Sequence, residues 1–300
     1  MNQFDIYLTF DIDQDFAPNT SDYYNRAKAD FKTFKERFSS VIDSLNHIPF
    51  SVFLRADNQI ESIYGSYDYL LKENEIIVDK ILNNNGEINW HVHLYAKNNN
   101  NWFLERDDEK LAELFEENYK NVKKIKNINS DIIRIGECVM NNNLMRVINS
   151  KNIKIDSSAL PSRKRDDDDK FFDWKITSNE FYFPSKLDYR VQGADNYNLI
   201  EVPLTTIKMK APYDKKSIHR YFNLSFKSNI LFENFSEYVK NNNHLVIITH
   251  PSEILINGTH DLISFNLDTF KYNLNHIVEK IKLEGKNPVF KKISSIKYDK

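Results

Sequence analysis

A closed or nearly closed parallel β/α barrel, one domain over residues 1–300, is the fold this sequence predicts. Three observations carry it. Short apolar strand-like runs alternate with amphipathic helical stretches seven times, the pattern of a parallel sheet with crossover helices. No glycine-rich phosphate loop follows the first strand, which argues against an open dinucleotide-binding sheet. Ionisable residues gather at the C-terminal ends of the strands, where barrels of this kind carry their chemistry. With 41% apolar residues, a 300-residue chain has enough material for one such core.

The first strand is predicted over 6–13 (IYLTFDID), where Ile6, Leu8 and Phe10 alternate with other residues. Residues i and i+2 of a strand share a face, so Asp11 and Asp13 leave its end together. Two carboxylates that close call for a cation, a shared proton or a basic neighbour; the plain alternative is a solvated turn. Residues 14–21 read as a turn and 22–46 as a helix (Phe31, Phe34, Phe38, Val41, Ile42, Leu45), which Pro49 ends. A second strand, 50–55, is followed by a helix over 66–84 and a stop at Gly86, which can supply a left-handed cap. The third strand is 87–95. A helix over 107–126, acidic first and lysine-rich last, suits the helix dipole and leads into the fourth strand, 131–136. A short helix at 141–151 precedes the fifth strand, 153–158. Residues 161–197 have no clear period, carry Pro161, Pro184 and the charge run from Arg163 to Lys170, and read as a long loop insertion, functional or disordered. The sixth strand is 199–204. Residues 217–242 are helical in two pieces, the seventh strand is 245–250, and a last helix over 266–284 precedes a short strand near 293–297.

Taken at their C-terminal ends, the strands present Asp11 and Asp13, then Arg55 and Asp57, His91 and His93, Arg134, Asp156 and finally His250. His91 and His93, at i and i+2, turn both imidazoles to one side. With a first-strand carboxylate they make a His2Asp set, three protein ligands with an open position, as in catalytic zinc sites; two unrelated half-exposed histidines are the bland alternative. His250 reads as a general acid or as a core histidine bonded to backbone. Arg134 either orients Asp11 or makes a surface salt bridge. Asp156 either joins the site or caps a turn. Arg55 and Asp57 read as a structural ion pair at the rim. Trp90 alternates away from the histidines and belongs to the core, whereas Trp174, in the long loop, is the better platform for a sugar ring. Cys138 reads as buried and structural, and Asp166 to Asp169 as a solvated loop.

In this order the motifs resemble the polysaccharide deacetylase family (NodB homology, carbohydrate esterase 4-like). Thr9-Phe-Asp-Ile-Asp13 is similar to the family's TFDD motif, and Glu87-Ile-Asn-Trp-His-Val-His93 to its histidine motif. Arg134-Ile-Gly136 resembles its arginine motif, and Asp156-Ser-Ser158 with Trp174 its fourth. Ile247-Ile-Thr-His-Pro251 resembles its last histidine motif. The resemblance covers nearly the whole chain. It implies a (β/α)7, deformed TIM-like barrel and a hydrolase of non-peptide C–N bonds that removes acetyl from an N-acetylated sugar, in a polysaccharide or its biosynthetic intermediate. It implies Asp13, His91 and His93 as ligands of a divalent metal, zinc before cobalt, nickel or manganese. Asp11 would then be the base held by Arg134, His250 the acid that protonates the leaving amine, and Asp156 an orienter. The chain departs from the family pattern in two places: Ile12 separates two aspartates that are adjacent there, and the second histidine stands at i+2 rather than i+4, where this chain has Tyr95. Another metal-dependent amidohydrolase or phosphoesterase, or a non-catalytic glycan-binding relative of the deacetylases, are the alternative readings.

Other classes are argued against by composition. With 41 basic and 43 acidic residues, net −2, there is no electrostatic footprint for nucleic acid. A single cysteine excludes an internal disulfide framework and a cysteine-based zinc site. No apolar run approaches the ~20 residues of a membrane span, and the start MNQFDIY has neither the basic nor the apolar region of a signal peptide. The expectation is a cytoplasmic protein whose partner is an acetylated sugar or glycan.

Overall fold

A computed structural model of the chain describes residues 2–15, 31–99, 101–167, 170–255 and 258–297. Eight strands form one parallel sheet: β1 (Asn2–Ile12), β2 (Phe50–Arg55), β3 (Gly86–Val92), β4 (Asn129–Ile135), β5 (Ile155–Asp156), β6 (Ile200–Glu201), β7 (His244–Thr249) and β8 (Lys286–Lys291). Around it lie α1 (Lys32–Ser44), α2 (Asn58–Tyr64), α3 (Tyr69–Lys72), α4 (Glu75–Asn83), α5 (Asp108–Val122), α6 (Asn142–Ser150), α7 (Ser228–Leu231), α8 (Phe235–Asn241), α9 (Pro251–Leu255) and α10 (Leu267–Leu283).

The sheet is built outward from β1. Phe4, Ile6, Leu8, Phe10 and Ile12 are fully buried, and so is Thr9 between them. Burial on both faces is the mark of a central strand in a parallel sheet. One edge of β1 pairs with β7 from Asp5 to Phe10. The other edge is shared: β8 takes Asn2–Tyr7, and β2 takes Thr9–Ile12. The remaining strands continue from β2, giving the order β6-β5-β4-β3-β2-β1-β7.

All seven strands read from the sequence form. The eighth forms at Lys286–Lys291 rather than 293–297, where a 3-10 turn, Ile293–Ser295, stands instead. The helix expected over 66–84 divides into α3 and α4 around Glu73 and Asn74. The stretch 217–242 opens with a strand, Ile218–Tyr221, paired antiparallel to Thr206–Met209 ahead of α7 and α8. Of the helix expected over 22–46, α1 covers 32–44; residues 16–30 lie outside the described residues, as do Asp168 and Asp169 of the acidic run.

The sevenfold β/α alternation is incomplete. No helix of the described residues lies between β5 and β6, and these two strands are only two residues long. Pro203, which has no N–H to donate, stands two residues beyond Glu201 at the end of β6. Strands β6 and β7 do not pair. Main-chain hydrogen bonds reach across to β7 from flanking segments: Thr205 N donates to Val246 O at 3.1 Å, and Ile248 N donates to Phe222 O at 3.1 Å. The sheet is therefore curled but not closed as a β-ladder.

The segment 161–197 is packed rather than loose. It holds a short hairpin, Lys164–Asp166 with Phe171–Asp173, and buries Trp174, Tyr182, Phe183, Tyr189 and Tyr197. Trp174 is fully buried, donates its indole N–H to Cys138 O at 2.8 Å and meets the Tyr189 ring edge-on at 4.9 Å. It is a core anchor, and the expectation of a sugar platform is corrected. Trp90 is core as expected, packed on Phe115 of α5. No helix of the described residues is long and apolar enough to cross a membrane.

Because Trp174 holds the long segment to the sheet, Trp174→Ala should lower the unfolding free energy by about 3–5 kcal/mol. Urea denaturation measures this; an unchanged midpoint would remove Trp174 from the core.

Candidate metal centre

Strand register assembles the site. Arg55 pairs with His91 across β2 and β3, and His91 with Arg134 across β3 and β4, so the three side chains share one face. Ile12 pairs with Leu54, which brings the next residue, Asp13, alongside Arg55. Phe10 pairs with Thr249, which brings Asp11 alongside His250. A cleft of about 340 Å³ opens over this row, and Asp11, Asp13, His91, His93, Arg134 and His250 all line it.

The histidine tautomers follow from their outer partners. His91 Nδ1 lies 2.8 Å from the Arg134 carbonyl oxygen, which can only accept, so Nδ1 carries the proton. His93 Nδ1 lies 2.6 Å from the Tyr95 hydroxyl, which donates to Glu137 Oε1 at 3.1 Å and so accepts from the ring. Both Nε2 atoms are left with lone pairs, 3.1 Å apart. Asp13 Oδ1 faces them at 3.0 Å from His93 and 3.6 Å from His91. That oxygen is buried and has no hydrogen-bond partner. Three lone-pair donors turned on one point, all within 4.8 Å of one another, fit a divalent cation. Burial, aided by the Arg55 charge, pushes the His93 pKa down, toward the neutral ring a ligand requires. His91 shifts the other way, raised against its burial by Asp13 and Asp11. Burial would raise Asp13, but a proton shared with the two rings holds it well below the usual carboxylate range; that proton occupies the place a cation would take.

The surroundings hold this geometry. A Cβ on Gly136 would lie 2.3 Å from His93 Cδ2, so only glycine lets the ring sit there. Asp57 is fully buried: it caps α2 by accepting from Gln59 N and Ile60 N at 3.0 Å, and it accepts from His93 N at 3.1 Å and from Arg55 Nε at 2.7 Å. The Arg55–Asp57 pair thus lies in the interior rather than at the rim.

Arg134 is buried, with a hydrogen-bond partner on each of its three nitrogens. It donates to Asp11 Oδ1, to Thr9 Oγ1 at 2.9 Å, and to the Ser157 carbonyl and hydroxyl at 2.9 Å, and it stacks 3.9 Å from the Phe53 ring centroid. His250 is held by Glu253, whose Oε2 is 3.2 Å from Nδ1 and 3.1 Å from the main-chain N. Its Nε2 lies 3.8 Å from Asp13 Oδ2. Burial would lower the His250 pKa, but Glu253, Asp11 and Asp13 carry it up to about 9.

Asp156 is placed elsewhere. It pairs in register with Ile133, the neighbour of Arg134, and therefore faces the opposite side of the sheet with Trp90. There it adjoins Glu201, its register partner on β6, and accepts from Ser158. Both carboxyls are fully buried, and burial raises Asp156 to about 6 and Glu201 well above its usual value. The group that orients His250 is Glu253, which the sequence reading passed over. Its signal is the His-Pro-Ser-Glu spacing at the start of α9. Tyr95 and Glu137 were also unassigned; Tyr95 continues the period-2 alternation of His91 and His93. Cys138, expected to be buried, is half-buried and lines the cleft.

No protein-family model and no curated protein sequence matches the chain. Solved structures of similar chain trace include a candidate polysaccharide deacetylase from Mycobacterium smegmatis, with 10% identity, TM-score 0.48 and 100% of this chain aligned to 96% of that one. Another is a 4-α-glucanotransferase from Thermococcus litoralis, with 9% identity and TM-score 0.45; 97% of this chain covers only 37% of it. A third is a candidate polysaccharide deacetylase involved in O-antigen biosynthesis from Bordetella bronchiseptica, with 11% identity, TM-score 0.39 and coverages of 93% and 83%.

Mass spectrometry of the purified protein should find one divalent ion per chain, absent from Asp13→Ala and His91→Ala. Tyr95→Phe should weaken metal affinity about 10–100-fold by freeing the His93 ring; unchanged affinity would dismiss the Glu137–Tyr95–His93 chain. The carboxyl pair gives a second test. A raised folded-state pKa stabilises the fold below the unfolded pKa, about 4, and that gain is lost as pH rises through about 6 for Asp156. The stability of the wild type relative to Asp156→Asn should therefore fall from pH 4 to pH 7 in urea titrations. A flat difference would show that the pair is not protonated.

Proposed function

We propose that the protein is a metal-dependent hydrolase that removes the acetyl group from an N-acetylated sugar. One observation carries this reading: the His91, His93 and Asp13 lone pairs converge in the same cleft as two acid–base pairs, Asp11–Arg134 and His250–Glu253. The sequence resemblance to polysaccharide deacetylases supports the choice of acetyl group and sugar.

Asp13, His91 and His93 would hold the ion, zinc by the chemistry of the donor set. When bound, the ion supplies Lewis-acid polarisation of the acetyl carbonyl. Asp11, turned toward the cleft by its ion pair with Arg134, takes the proton of the attacking water. The water oxygen bonds to the acetyl carbon, the C–N bond breaks, and acetate and a free amine leave. His250 delivers the proton that the amine needs, since Glu253 fixes its Nδ1 side and leaves Nε2 toward Asp13 and the cleft.

Metal-loaded protein should release acetate from an N-acetylhexosamine substrate, and chelation should stop it. Asp11→Asn should lower kcat about 10²–10⁴-fold while metal content stays at the wild-type level. Full activity in Asp13→Ala, at equal folding, sinks the metal assignment; wild-type kcat in Asp11→Asn sinks the assignment of the base.

A further inference from the structure

The cleft has a wall that deacetylation of a neutral sugar does not use. Opposite in character to the carboxylate and imidazole groups, three cations face the same cavity: Arg163 just before the Lys164–Asp166 strand, Arg165 within it, and Lys170 just before the return strand Phe171–Asp173. Two of these cations are matched by carboxylates: Arg165 by Asp167 at 2.6 Å and Lys170 by Glu137 at 2.6 Å. Arg163 is not. Its guanidinium donates through Nη1 to the His219 carbonyl at 2.5 Å, and no carboxylate of the described residues pairs with it. A guanidinium has five N–H donors in a planar fork, so most of its donor capacity is left over. Burial, then the Arg220 and Arg165 charges, pull its pKa below the ordinary arginine value; the Asp214 carboxylate, which also feels Arg163, is bound to Arg220 instead. Arg220 offers no relief, since Asp214 takes it at 2.7 Å and its Nε is buried without a partner.

A half-buried cation crowded by cations is costly unless an anion joins it. The His219 carbonyl anchors the guanidinium from behind, which pre-organises the fork for an oxyanion. We propose that this wall binds a phosphoryl group of the substrate, anchored by Arg163, so that the N-acetylated sugar is a sugar phosphate or is linked through a diphosphate. A guanidinium with most of its fork unspent, beside that of Arg165, offers N–H donors in a number that suits the several acceptor oxygens of a phosphoryl group better than a single carboxylate. This rests on the reading of the cleft as an acetyl-sugar site.

Glucose 1-phosphate tests the wall alone, because it has no acetyl group to lose. By isothermal titration of the metal-loaded protein it should bind at least about tenfold more tightly than glucose. Arg163→Gln, with an unchanged melting temperature, should erase that preference, and Arg163→Lys should restore part of it. A preference that survives in Arg163→Gln comes from the metal and overturns the proposal, as does equal binding of the two sugars. Glucuronate binding as tightly as glucose 1-phosphate overturns the phosphoryl assignment. A further gain with UDP-glucose supports the proposal with a nucleotide as the source; equal affinity supports it with a phosphoryl recognised on its own, as on a sugar phosphate or a lipid diphosphate. If N-acetylglucosamine 1-phosphate yields no acetate while Arg163-dependent binding persists, the hydrolase reading fails and the phosphoryl site stands.

Discussion

Two imidazole nitrogens and a carboxylate oxygen that face one another are the constraint from which the rest of the site follows. Their outer atoms are already committed. His91 gives its Nδ1 proton to a strand carbonyl, and His93 gives its own to Tyr95. Neither ring can turn to relieve the repulsion without breaking a buried hydrogen bond, which costs about 1–3 kcal/mol. Asp13 Oδ1, buried without a hydrogen-bond partner, adds negative charge to the same point. The arrangement makes physical sense around a positive centre, and its own hydrogen bonds hold it open for one.

Such a cluster needs a stiff frame, and the parallel sheet supplies it. The row from Asp13 through Arg55 and His91 to Arg134 crosses four neighbouring strands at one level. Two buried arginines stand in that row, each with a carboxylate: Asp57 for Arg55 and Asp11 for Arg134. Buried ion pairs add little net stability, yet removing one partner costs about 3–5 kcal/mol. Their effect is to lock geometry. Asp57 shows this most clearly, since one side chain caps α2, holds Arg55 and receives the main-chain N–H of His93. The candidate metal ligands are thereby tied to the end of a helix and to the neighbouring strand.

Much of this was legible in the sequence because strands have a rigid period. Asp11 and Asp13, and His91 and His93, are two pairs at i and i+2, and both pairs emerge on one face as period 2 requires. Ile12 is fully buried on the other face. In a strand that runs on to Ile12, adjacent aspartates would point to opposite sides, so the spacer is what brings both carboxylates to the cleft. The two departures from the deacetylase motifs are in this sense one departure, a shift of both pairs to strand spacing. Asp156 was misplaced for the same reason in reverse: its parity follows from register with Ile133, and register across strands is not written in either strand alone. Glu253 was missed and Trp174 was taken for a sugar platform because they act from a loop-to-helix junction and a period-free segment, where no repeat announces burial.

The turn after β4 shows how local strain serves the centre. Glu137 and Cys138 are consecutive non-glycine residues with φ of 59° and 58°. Each left-handed L-residue costs roughly 1–2 kcal/mol, and the surrounding structure must over-determine such a turn for it to persist. It does so from both sides. Gly136, one residue earlier, leaves room for the His93 ring, Glu137 reaches Tyr95, and the Cys138 carbonyl accepts the buried Trp174 indole. The long segment therefore does more than cover the sheet. By holding Cys138 through Trp174, it fixes the turn that aims Glu137 at Tyr95, and through Tyr95 it fixes the proton on His93. The same segment carries Arg163 into the cleft. Tautomer control of the histidine pair and the cationic wall are thus two consequences of docking one stretch of chain.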